Sequence, residues 1–148
     1  MLLPLALFLA FAADDSAKLL PDGPGKEAVA KVCTACHNTD SIRKQRLPRE
    51  EWSDKMDDMV ERGAKGTDAE MMAVLDYLTE NFGKGSKMYV NTAPFGELKS
   101  VLGLTNDETN AVLEYRKQNG NFQQWKDLLK VAGLDPKKIE AKKDLLAF

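Results

Sequence analysis

Histidine occurs once in this chain, at His37, and cysteine twice, at Cys33 and Cys36. That scarcity excludes a structural zinc site, which takes four nitrogen or sulfur ligands, usually from two clusters. It also leaves no second histidine for bis-histidine ligation of a metal group, or for assisting peroxide cleavage. From residue 89 onward there is no Cys, His or Met at all, so any soft-ligand chemistry is confined to the first half. Charge of one sign is absent too. The net charge is -2, which gives no global pull towards nucleic acid or anionic lipid. Residues 14–91 carry 12 Lys+Arg against 15 Asp+Glu, a balance of -3, and residues 92–148 carry 9 against 8, a balance of +1. What is present suffices for folding: 148 residues, 43% hydrophobic and 30% charged, make one ordinary domain or two small ones.

No apolar run is long enough to span a bilayer. Residues 1–13 are uncharged and apolar throughout, but a spanning helix needs about 20 residues. The run suits the core of a signal peptide, and Ala10-Phe11-Ala12 fits the small-x-small cleavage rule, predicting a cut after Ala12 or Ala13. It lacks a basic n-region, and if retained it would be a short membrane tether. No cysteine follows it to carry a lipid anchor. The expectation is a periplasmic or otherwise exported protein.

Cys33-Thr34-Ala35-Cys36-His37 is the stretch that carries chemistry. Two cysteines three apart followed by histidine read as the attachment site of a c-type haem. Each thiol would add across one porphyrin vinyl group, and the histidine would reach the iron as an axial ligand. The competing readings are a thioredoxin-like redox pair, which expects a βαβ setting that this helical neighbourhood lacks, and a plain disulfide beside a surface histidine. Under the haem reading, haem c and its iron are the cofactors, bound by Cys33, Cys36 and His37, and a sixth ligand must come from a residue other than histidine. Residues 38–47 have no clear period and read as a loop along the haem edge, with Arg43 and Arg46 either facing the propionates or solvated.

The helical pattern around the motif is regular. Residues 25–32 place Ala28, Val29 and Val32 on one face. Pro48 opens a second helix with Glu50 and Glu51 in its first turn, where the helix dipole favours acids. Trp52, Met56, Met59 and Val60 form its inward stripe, and Gly63 ends it. Thr67 and Glu70 form a capping box for a helix to Phe82 that buries Met71, Val74, Leu75, Leu78 and Phe82, with Tyr77 at the edge of that face. Met56 and Met59 both stand as candidate sixth ligands on the second helix. Met59 lies nearer the helix end, where the loop through Gly63 to Gly66 can let it lean over the iron.

With Gly25 eight residues before Cys33, the Cys-x-x-Cys-His motif, Trp52, Met59, Gly63-Ala64 and Tyr77-Leu78, residues 24–83 resemble a small monohaem class I cytochrome c domain. The resemblance implies that Gly25 lets the first helix cross close against Tyr77. It also implies that Met59 is the axial methionine, so that His37 and Met59 hold the iron. The implied function is electron transfer with a redox protein partner, without catalysis.

Gly83-Lys84-Gly85-Ser86-Lys87 reads as a linker. Beyond it lies a loose internal repeat. Phe95–Leu102 is a short helix, Gly103-Leu104-Thr105 a hairpin, and residues 107–119 a longer helix. The second set is Trp125 to Val131, the hairpin Gly133-Leu134-Asp135, and Pro136 to Leu146. With Val90-Asn91-Thr92-Ala93, Gly120-Asn121-Phe122 and Val131-Ala132-Gly133-Leu134, residues 90–148 resemble the tandem helix-hairpin-helix domain of the competence DNA-receptor type. That family's DNA-binding hairpins offer backbone N–H groups to a phosphate. Here Thr105 and Asp135 replace the second glycine, Asp135 sets a negative charge near an incoming phosphate, and Lys137, Lys138, Lys142 and Lys143 partly compensate. DNA binding and protein docking both remain as readings of this half. The expected architecture is all-α: signal peptide 1–13, cytochrome c domain 14–83, linker 84–89, helix-hairpin-helix domain 90–148. The leading functional expectation is an exported electron carrier, and the alternative is a DNA-binding protein with a haem sensor or redox domain.

Overall fold

The computed structural model describes residues 15–148; the segment 1–13, expected to be a signal peptide, lies outside the described residues. The fold is helical, with two very short strands. A 3-10 turn at Asp15–Leu19 leads into α1 (Lys26–Cys33), α2 (Asp40–Arg43), α3 (Arg49–Glu61) and α4 (Asp68–Phe82). β1 (Met88–Tyr89) follows, then α5 (Phe95–Leu102), α6 (Asn106–Asn119), α7 (Trp125–Leu128), α8 (Pro136–Lys142) and β2 (Leu146–Ala147). No helix among the described residues is long and apolar enough to cross a membrane.

Two hydrophobic clusters divide the buried residues. The first joins Val29, Ile42, Trp52, Val74, Tyr77, Leu78 and Phe82, so it is built mainly from α1 packed on α4. Gly25 is where these helices approach most closely. Its φ is +90°, and a Cβ there would lie 2.5 Å from the Ala73 carbonyl oxygen and 2.8 Å from Tyr77 Cβ. Only glycine accepts both that backbone angle and that contact. The second cluster gathers Met88, Val90, Leu98, Leu102, Val112, Phe122, Leu128 and Ile139 around α5, α6 and α8.

Several expectations hold at residue level. The Thr67–Glu70 capping box is formed, with the Glu70 N–H donating to Thr67 Oγ1 and the Thr67 N–H to Glu70 Oε2, and α5 has the expected bounds. Others are corrected. The stretch 38–47 contains the short helix α2 rather than loop alone. Tyr77 is fully buried, not at the edge of its face. On α3 only Trp52 is buried. Met59 is 37% exposed and Val60 46%; Met59 lines a cavity, while Met56 both lines it and packs against the first cluster. The last α-helix ends at Lys142, a 3-10 turn follows at Lys143–Leu145, and β2 then pairs in parallel with β1, Met88 opposite Leu146. Pairing draws Met88, which composition places in the linker, wholly into the second cluster.

The two clusters are joined by charge. Arg43 on α2 donates through Nε to Glu97 Oε2 at 2.8 Å, and both side chains are only 2% exposed. Arg46 donates through Nη2 to the other carboxylate oxygen, Oε1, at 2.7 Å. Arg43 also donates to the Leu19 carbonyl and to Thr92 Oγ1, while Ser100 on α5 donates its hydroxyl to the Lys44 carbonyl. A guanidinium satisfied on this many sides tolerates burial. Neither sequence reading of Arg43 and Arg46, as propionate contacts or as solvated side chains, survives. Removing the shared carboxylate leaves two buried cations uncompensated, so Glu97→Ala is expected to lower the unfolding free energy by about 3–5 kcal/mol, measured by urea denaturation of the full chain.

Candidate nucleic-acid interface and the cysteine cavity

The first helical unit holds an apolar cavity of about 490 Å³. Its wall includes Cys33, Cys36, His37 and Met59 together with Met56 and Trp52, so folding brings together the four site residues that the sequence singles out. Cys33 closes α1, and burial pushes its thiol up to about 11. Cys36 is exposed. His37 Nδ1 lies 3.0 Å from the Asn38 carbonyl oxygen and 3.2 Å from Ser41 Oγ, which anchors the ring to the start of α2. Trp52 donates its indole N–H to the Phe82 carbonyl at 3.0 Å and fixes α3 against the end of α4. The two arginines nearest in sequence are turned away into the Glu97 pair.

The second unit is built from two matching turns. Gly103 (φ +66°) ends α5 and Gly133 (φ +82°) precedes α8, each in the left-handed region that lets the chain reverse. Leu104 and Leu134 follow and are buried. Thr105 then caps α6: its Oγ1 accepts from the Glu108 N–H at 3.2 Å, and its own N–H donates to Glu108 Oε2 at 2.8 Å. Asp135 caps α8 by accepting from the Lys137 N–H at 2.9 Å. Glu108 links the turns. Its Oε1 accepts from the Asp135 N–H at 3.2 Å, and its Oε2 takes Lys138 Nζ at 2.6 Å. Side-chain capping of both helices thus uses N–H groups that a phosphate would otherwise contact.

Comparison with known proteins fits this geometry. Residues 83–147 match the helix-hairpin-helix motif family. They form a helix-hairpin-helix module. ComE operon protein 1 of Bacillus subtilis (strain 168) is 38% identical over 58 residues, 39% of this chain and 28% of that protein. An uncharacterized protein of Haemophilus influenzae is 33% identical over 63 residues, 42% of this chain and 56% of that protein. The chain thus spans between about a quarter and rather more than half of these relatives' lengths. No solved structure matches.

These findings correct the leading expectation. The family match and both relatives support the helix-hairpin-helix half, and none supports a cytochrome c domain, an electron carrier or a redox partner. Among the described residues, no three His, Cys, Asp or Glu side chains are grouped to hold a metal ion. The assignment of haem c and iron is therefore withdrawn. Cys33, Cys36, His37 and Met59 remain as walls of one cavity. Sequence reasoning missed Glu97 and Glu108, the two buried carboxylates that organise the module. Both stand in the first turn of a helix, which suggests a dipole contact but not partners 27 to 54 residues away.

Glu108 also sets a pH dependence. The Lys138 ammonium, then the Thr105 N–H, hold its carboxyl down at about 2, below the ordinary 4.5, outweighing desolvation. A carboxyl depressed in the folded state contributes stability above its unfolded value and loses it as pH falls through the folded one. Thermal unfolding followed by circular dichroism should therefore show stability falling between about pH 4.5 and 2, and Glu108→Gln should flatten that decline.

Proposed function

We propose that this protein binds DNA outside the cytoplasm through its helix-hairpin-helix module, as a binding protein rather than a catalyst. The observation that carries the reading is the family match over residues 83–147; the similarity to ComE operon protein 1 agrees with it. We take the chain as an N-terminal unit at 14–83, a linker at 84–89 and the module at 90–148, with 1–13 as the export signal. The separate hydrophobic clusters support two units, with Met88 belonging to the module's cluster rather than to the linker. In the module, Lys137 and Lys142 have no ion-pair partner among the described residues, and Lys126 and Lys143 touch only the Trp125 ring. These four cations are available to phosphates.

Gel-shift titration of the full chain against duplex DNA over a range of salt tests this. With four phosphate contacts, log K should fall against log salt with a slope of about -3 to -4; absence of a shift at low salt refutes the reading.

For the N-terminal unit, we propose that Cys33, Cys36, His37 and Met59 contact a small apolar ligand in the cavity. Anilinonaphthalene sulfonate should bind the native protein with enhanced emission, and Met59→Glu should abolish the enhancement while leaving the helical circular dichroism intact. Unchanged emission in that variant would remove the assignment.

A further inference from the structure

The two tryptophans are in opposite settings. Trp52 is buried and its N–H is satisfied by the Phe82 carbonyl. Trp125, the first residue of α7, is partly exposed and packs on the second cluster, and its indole N–H has no hydrogen-bond partner among the described residues. Lys126 Nζ stands 5.9 Å and Lys143 Nζ 5.5 Å from its ring centroid. Both lysines are exposed, held only by the ring's weak attraction for cations, and free to exchange that contact for a phosphate. The surroundings are basic. Residues 124–143 hold six lysines against Asp127, Asp135 and Glu140, and Asp127 is already occupied by Lys130 at 2.8 Å.

The hairpins point the same way by exclusion. Thr105 and Glu108 cap α6, and Asp135 caps α8, with its carboxylate where a phosphate would approach. Backbone recognition of a duplex phosphate is blocked at the second turn. A cationic rim around a half-exposed indole instead offers what single strands need: charge that tracks the backbone and a π-face that any base can stack on.

We propose that Trp125, flanked by Lys126 and Lys143, is a stacking site for an unpaired base, so that the module takes single-stranded DNA in preference to blunt duplex. This rests on the DNA-binding reading and goes beyond it. The test uses the full chain with a short single strand and the blunt duplex of the same sequence, read by gel shift and by tryptophan emission. The single strand should bind more tightly and quench emission. Trp125→Ala should weaken single-strand binding about tenfold, Trp125→Phe should keep most of it, and duplex binding should change little in either. The double variant Lys126→Ser with Lys143→Ser, which leaves the core untouched, should reduce the single-strand salt slope by about 1.4. If the duplex binds while Trp125→Ala leaves single-strand affinity and quenching unchanged, the stacking site is refuted and DNA binding stands. If equal losses appear on both DNAs, the preference is refuted. If neither DNA binds at low salt, both readings fall.

Discussion

The Glu97 carboxylate, shared between Arg43 and Arg46, is the interaction on which the arrangement of this protein depends. It offers one oxygen to each arginine across more than fifty residues of sequence, with Arg43 and Glu97 buried and Arg46 half-buried. Charges buried in this way are stable only while every partner is in place. The pair therefore fixes α2 against α5, and with it the first hairpin against the N-terminal unit. The β1–β2 pairing adds a second tie, joining Leu146 and Ala147 to Met88 and Tyr89.

Glu108 does within the module what Glu97 does between the units. Its two oxygens accept from Thr105, Asp135 and Lys138, so the two turns are locked into one geometry. The same bonds fill helix N-termini that would otherwise be anion sites. Stability of the paired hairpins and backbone recognition of phosphate compete for the same N–H groups, and in this chain the internal carboxylates hold them. Under the proposed DNA-binding reading, nucleic-acid contact would fall to lysine side chains and an aromatic ring, which are adaptable where backbone groups are rigid.

The Cys-x-x-Cys-His stretch shows how a short motif can outrun its support. Its spacing places Cys33, Cys36 and His37 on one cavity wall, and Met59 joins them there, so the grouping was legible. The functional conclusion drawn from it was not upheld, because the comparisons speak for the other half of the chain. In that other half, glycines at two matched positions and the leucines after them announced the hairpins plainly, since only glycine enters a left-handed turn cheaply.

By itself the sequence determined most of the longer helices and several of their ends: Thr67 with Glu70, Pro48 before α3, and the glycine turns at Gly103 and Gly133. Those features arise from neighbours within four residues, where spacing alone decides which groups meet. Tertiary structure alone decided that Arg43 and Arg46 serve Glu97, that Glu108 ties two turns together, that Met88 is core and that the chain's end returns as a strand. An ionised side chain has the same sequence signature whether it is solvated or buried against a distant partner. Only packing fixes which it is, by removing the water that would otherwise satisfy it.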